Sequence, residues 1–174
     1  AYRVADQNPL GSAAGYGSSF PIDREFTTTQ MGFATQKYNV VAAQMGRGKV
    51  EKTTAMAMAS LAGTLGKMAM DICLYLSQNF AFISFPEELT TGSSIMPHKK
   101  NPDVFELIRA HSNLLQALPV QVSQLTTSLP SGYHRDFQLL KESIFPAIQH
   151  LKDCLGILTY ALPQAQVNTA ILED

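Results

Sequence analysis

A chain of 174 residues can bury a sizeable core, and 45% apolar with 16% charged residues excludes a disordered segment. Thirteen Lys and Arg against fourteen Asp and Glu leave a net charge of -1, no electrostatic reason to expect nucleic acid or a membrane as partner. So low a charge content points to surface covered in an oligomer.

Residues 1–22 are rich in Gly, Ser and Ala and read as an extended loop. Asp23 is suited to cap a short helix over 24–31. A second short helix is expected over 36–45, broken by Gly46-Arg47-Gly48-Lys49, whose Arg–Lys pair reads as an exposed turn or an anion contact. Residues 49–80 carry the longest helical pattern, with Met58, Leu61, Leu65, Met68, Ile72, Tyr75 and Asn79 at alternating spacings of three and four. Apolar Met56, Met70 and Leu74 on its other faces predict burial nearly all round. Lys67 and Asp71 interrupt its apolar run, argue against a membrane span and stand at i, i+4, where they can pair. The methionines read as core packing.

Phe85-Pro86 ends any helix, and Glu87-Glu88 read as solvated. A polar loop, 89–103, follows. A second long helix is expected over 102–127, with Val104, Leu107, Ile108, His111, Leu115, Leu118, Val122 and Leu125 on one side and a kink at Pro119. His111 falls on that stripe and reads as a core or interface histidine. Residues 128–133 form a turn. A third long helix, from 134 to about 162, carries Leu140, Ile144, Ile148, Leu151, Leu155 and Leu158, with Pro146 inside. Cys73 and Cys154 lie far apart in apolar helical stretches and read as small core residues, not a disulfide or metal site. No signal peptide is visible, and a reducing cytoplasm fits. With no credible strand and no repeat, the fold class is all-α, a long-helix bundle.

The chemistry concentrates at Gly92-Ser93-Ser94-Ile95-Met96-Pro97-His98-Lys99-Lys100-Asn101-Pro102-Asp103. Two hydroxyls and two lysines lead into a helix start, with Asn101 as N-cap, Pro102 at the first helical position and acids at Asp103 and Glu106. Such a loop can hold a carboxylate or phosphate. By composition alone a solvated turn would be the reading.

The order of these residues changes that reading. Gly-Ser-Ser-x-Met-Pro-x-Lys-x-Asn, met in full from Gly92 to Asn101, resembles the signature of the fumarase/aspartase superfamily. The continuation through Glu106-Leu107-Ile108-Arg109 resembles the argininosuccinate lyase branch. The Gly-rich run into Asp23-Arg24-Glu25, and Tyr133, Gln138 and Lys141 in a Tyr-x4-Gln-x2-Lys pattern, resemble it too. The resemblance implies release of fumarate by elimination. It implies catalytic roles for Ser93, Lys99 and Glu106, with Glu106 orienting a partner histidine, and substrate contacts from Asn101, Tyr133, Gln138 and Lys141. Met96 is expected to pack under the loop. No cofactor or metal is implied. The partners implied are the small-molecule substrate and identical subunits, in a homotetramer with shared active sites. The chain departs from the branch at Arg47, where a Ser-x-Arg-Asp segment is usual, and at His134-Arg135 and Leu139-Leu140, where Asn-Lys and Glu-Asp are common.

The chain starts at Ala1-Tyr2-Arg3 and reads as the central portion of a longer protein: a loop over 1–22, a central helical domain over 23–162, and an approach to a C-terminal domain over 163–174. None of His98, His111, His134 or His150 sits in the family's histidine motif, so the chain alone is expected to be inactive. Rival readings are another superfamily lyase (adenylosuccinate lyase, aspartase or fumarase, or one acting on N-acylated argininosuccinate), a non-catalytic bundle like the delta crystallins, and an anion-binding module.

Overall fold

The computed structural model describes residues 1–14, 16–92, 94–96 and 99–173. Its elements run α1 (Tyr2–Ala5), β1 (Gln7–Asn8), α2 (Arg24–Gln30), β2 (Thr35–Gln36), α3 (Val40–Met45), α4 (Lys49–Tyr75) and β3 (Ile83–Ser84). A 3-10 turn (Glu87–Leu89), α5 (Asp103–Leu125), a second 3-10 turn (Arg135–Gln138) and α6 (Leu140–Ala161) follow. A third 3-10 turn (Leu162–Gln164), β4 (Gln166–Val167) and α7 (Thr169–Leu172) end the described chain.

The three long helices lie in the stretches that the periodicity marks, although α4 ends at Tyr75, short of the expected 80 and of Asn79, and the fold is all-α in its mass. The expected absence of strands needs correction. β1 pairs with β2 in parallel, Gln7 opposite Thr35, and β3 with β4 antiparallel, Ile83 opposite Val167. Each strand has two residues, too few for a period-two pattern to register. The third long helix also starts later than expected, at Leu140, because residues 135–138 form a tighter turn.

The buried stripes keep the three-and-four spacing and include the expected Met58, Leu65, Ile72, Ile108, Leu115, Leu118, Val122, Leu140, Ile144 and Leu158, but small residues take other positions that the pattern gave to bulky ones. α4 buries Ala55, Met58, Ala62, Leu65, Ala69 and Ile72. α5 buries Phe105, Ile108, Ser112, Leu115, Leu118 and Val122. α6 buries Leu140, Ile144, Ala147, Cys154, Leu158 and Ala161. The bulky Leu61, Leu107, Ile148 and Leu155, read as seam residues, are exposed. Small residues take the inward side because they let neighbouring backbones come close. A Cβ on Gly66 of α4 would lie 3.2 Å from the Ser112 Cβ of α5. Nor is α4 buried all round in the single chain: Met56 and Met70 are about half exposed and Leu74 is exposed. By length and composition α4 could cross a membrane, a property that core helices share. α5 runs through Pro119, and α6 through Pro146, without a break.

The chain divides into two compact units, one from 1–57 and 118–145, the other from 58–117 and 146–174. In the first, Asp23 caps α2 by accepting from the Phe26 N–H at 2.8 Å, and Asn39 caps α3 through the Ala42 N–H at 3.1 Å. The start of the Gly/Ser run is tied down at Asn8, Leu10 and Gly11. Asn8, fully buried, donates through Nδ2 to the Thr27 and Thr28 hydroxyls, both at 2.9 Å. Arg24 donates from Nε to the Leu10 carbonyl and from Nη2 to the Lys37 carbonyl, at 2.9 and 2.7 Å. Gly11 sits at φ +80°, where any Cβ would meet the Arg24 Cγ at 2.8 Å.

In the second unit Leu65, Ala69, Ile72, Phe85, Leu89, Phe105, Ile108, Cys154, Leu158 and Ala161 form one core. The Phe85 and Phe105 rings meet at 4.7 Å between centroids. Burying each large apolar side chain contributes about 1.5–3 kcal/mol, so this cluster anchors the segments that flank the polar loop. Lys67 and Asp71 form no ion pair with each other, whereas Cys73 and Cys154 are free thiols as expected. His111 stacks on His150, 4.6 Å between ring centroids.

Candidate active site

The second unit carries the polar loop. Thr91 and Asn101 close it as an isolated bridge, with the Thr91 N–H on the Asn101 carbonyl at 3.1 Å and the Asn101 N–H on the Thr91 carbonyl at 2.8 Å. The Thr91 hydroxyl donates to the Asp103 carboxylate, which staples the incoming strand to the first turn of α5. This pairing is what holds Asn101, and the sequence did not announce it. Within the loop the Lys99 N–H donates to the Met96 carbonyl at 3.0 Å. Lys99 and Lys100 are exposed, and Lys100 is 3.5 Å from the Glu87 carboxylate. Met96, expected to pack under the loop, is 44% exposed in the single chain. Ser93, Pro97 and His98 lie outside the described residues.

Glu106 stands one turn into α5, and its Oε1 lies 3.8 Å from Nη2 of Arg109. The main chain there is helical from the start: the Phe105 and Glu106 N–H groups both reach the Pro102 carbonyl at 2.9 Å. The loop therefore ends at a formed helix N-terminus with exposed cations before it, an arrangement that favours a carboxylate ligand.

The first unit holds the other candidates. The Gln138 amide donates to the Tyr133 hydroxyl at 3.3 Å, so two members of the Tyr-x4-Gln-x2-Lys pattern are in contact. Gln138 belongs to the 3-10 turn rather than to the long helix expected there. Lys141 is exposed on the first turn of α6. Phe137 and Leu140, each just before one of them, are buried, and this alternation presents Gln138 and Lys141 outward. Leu140, at a place where the branch commonly has an acid, is a core residue. A His134 ring nitrogen sits 2.7 Å from the Pro130 carbonyl and helps close the preceding turn.

In the same unit, Arg47, Lys49 and Lys52 line a cavity of about 310 Å³ together with Gln44, Thr126 and Phe137. Arg47 pairs with Glu51 at 3.1 Å and lies over the Phe137 ring, 5.4 Å from its centroid. Glu51 also accepts from the Gly48 N–H at 2.7 Å, which caps the start of α4. The sequence singles out Arg47 and Lys49. Lys52 and Phe137 were missed, and a helix period carried back from Lys52 to Lys49 and Gly48 was the available signal.

Both thiols are shifted. Burial pushes Cys73 up, with Arg109 pulling the other way, and burial with Asp153 pushes Cys154 up. Among the described residues no cluster of three or more metal-binding side chains occurs.

The comparisons follow the same lines. A family model described as "Lyase" matches residues 1–149. Argininosuccinate lyase of Phocaeicola vulgatus is 58% identical over all 174 residues, and that of Parabacteroides distasonis 59%. The chain spans 39% of the length of each. Among solved structures, a class II fumarase from Schistosoma mansoni superposes on 98% of this chain and 42% of its own, with a TM-score of 0.83 at 16% identity, a likeness of fold. With its signature loop and its helical fold, the chain belongs to the lyase family of the fumarase/aspartase superfamily.

Proposed function

We propose that the full-length protein containing this chain is a carbon–nitrogen lyase that splits argininosuccinate into arginine and fumarate in the cytoplasm. The observation that carries this reading is the identity of 58–59% over the whole chain to proteins named argininosuccinate lyase. The intact Lys99, Asn101 and Glu106, and the Tyr133–Gln138 contact, agree with it.

The difficulty of the reaction is the weak acidity of the C–H next to a carboxylate. Removing that proton builds a second negative charge on the carboxyl group. Fixed positive charge and N–H donors aimed there lower the barrier. Lys99, the Asn101 amide and loop N–H groups take that part. Ser93 removes the proton, and a neighbouring cation makes its alkoxide accessible. Glu106 orients the partner histidine, which another segment of the full-length protein supplies. The guanidine of arginine then leaves from the adjacent carbon, protonated by the partner histidine as the C–N bond breaks and the C=C bond of fumarate forms. Tyr133, Gln138 and Lys141 hold the rest of the substrate, and the cationic wall of Arg47, Lys49 and Lys52 suits a multiply charged anion.

Large apolar side chains lie exposed along all three long helices, among them Leu107, Leu114 and Phe145. They are the faces by which copies of the chain pack into a homotetramer with shared active sites, and α4 is a bundle helix in that assembly. The 174-residue chain by itself is therefore inactive.

The test is fumarate absorbance on adding argininosuccinate to the full-length protein, with adenylosuccinate and N-acylated argininosuccinate in parallel. Fastest turnover of argininosuccinate is expected. Faster release from either alternative would replace the substrate, and no release from any would contradict the lyase reading.

A further inference from the structure

We infer that Arg109 is a positioning residue that holds the Glu106 carboxylate, an inference that rests on the lyase reading above. Arg109 follows Glu106 by three positions on α5, so the two side chains share a face. Their separation is 3.8 Å, and both are partly exposed. On its own such an exposed pair contributes little. The second arm of the guanidinium makes the difference. Nη1 donates to the thioether sulfur of Met70 on α4, at 3.2 Å.

A thioether is a weak acceptor. This one stands on a different helix of the same unit, so it fixes where the guanidinium plane can lie. An arginine fork reaches two partners at once, which a lysine ammonium on its flexible stem does not reproduce. Cys73, one turn beyond Met70, feels both charges: beyond the effect of burial, Arg109 pulls its thiol down and Glu106 pushes it up. Thus the pair faces α4 rather than open solvent alone.

The consequence concerns the two carboxylate oxygens. Oε1 faces the guanidinium, and Oε2 is the oxygen for the partner histidine's N–H. A carboxylate orients an imidazole only when its own side chain is held.

The experiment uses the full-length protein and three variants: Arg109→Met, Arg109→Lys and Glu106→Gln, with the Arg109→Met/Glu106→Gln double. Subunit mass and melting temperature are recorded for each. A misplacement of about 1 Å costs on the order of 100-fold, so Arg109→Met is expected to lower kcat by about 10- to 100-fold. KM should stay within about twofold, since substrate binding is not the step affected. The pH profile of kcat shifts, because the histidine loses its oriented partner. Arg109→Lys keeps the charge, loses the fork and does not restore the rate; it carries the test should Arg109→Met fail to assemble. The double variant is no slower than Glu106→Gln.

An unchanged rate and pH profile in Arg109→Met, full rescue by lysine, or losses that multiply in the double variant would each overturn the inference. Full activity in Glu106→Gln would overturn it together with the role of Glu106, and that outcome is distinguishable from the others.

Discussion

Gly48 shows how much a single residue carries here. It sits at φ +80°, and a Cβ on it would lie 2.6 Å from the Thr126 methyl. Its N–H also completes the Glu51 cap that orients Arg47. Gly48→Ala is expected to destabilise the fold by about 1–2 kcal/mol, the left-handed backbone cost, before any clash is counted. Urea unfolding of the full-length protein measures this, and an unchanged midpoint would contradict it. The thiols give a second prediction at this scale. Both have folded pKa values above their ordinary value, chiefly through burial. A raised folded pKa means that their contribution to stability is complete below the ordinary thiol range and is lost as pH rises through the folded values. Alkylation of Cys73 and Cys154 by iodoacetamide at pH 8 should run slower than that of free cysteine, and faster alkylation would contradict the burial. At this scale residue order singled out the candidates: Lys99 and Asn101 stand in the signature and Glu106 in its continuation, and their roles are proposals. The Thr91–Asn101 bridge and the Asn8 hydrogen bonds were not, because both join residues through spatial contacts that no local pattern announces.

Among the elements, helix and turn placement was legible from caps and punctuation. Asp23 caps α2 as read, whereas the helix expected over 36–45 starts only at Val40, behind an Asn39 cap, because Gln36 pairs in β2. Register was legible only in part: Met58, Leu65, Ile108 and Leu140 are buried as read, but a reading that weighs bulky apolar residues looks past alanine. Ala62, Ala69, Ala147 and Ala161 face inward, whereas Leu61, Ile148 and Leu155 face outward. The tightest place in this arrangement is Gly66 against Ser112. Gly66→Val forces α4 and α5 apart within the second unit and is expected to cost about 1–3 kcal/mol, as overpacking does. Gly63, whose nearest neighbour is the flexible Gln116 side chain at 3.7 Å, accepts a methyl. Gly63→Ala should gain up to about 1 kcal/mol of helix propensity. Melting temperatures of the two variants should move in opposite directions, and a parallel fall would contradict the packing described.

For the whole molecule the exposed apolar faces decide the prediction. Leu107 and Phe145 are 62% and 63% exposed on helices whose opposite sides are buried. Single exposed leucines are ordinary, but repeated ones along three long helices mark an interaction surface. Leu107→Glu should lower the mass of the full-length assembly by light scattering, and an unchanged mass would remove this face from the interface. In the sequence the proposed assembly showed as low charge content and as the homotetramer that the resemblance implies; neither says which face is covered. The chemistry stands or falls with one hydroxyl. The deciding measurement is kcat for fumarate release from argininosuccinate by the full-length Ser93→Ala variant, beside the unaltered protein and with assembly mass matched. Loss of a positioned base predicts a fall of roughly 100- to 10,000-fold. Turnover within a few-fold of the unaltered protein would contradict the proposed elimination and return the loop to a binding role.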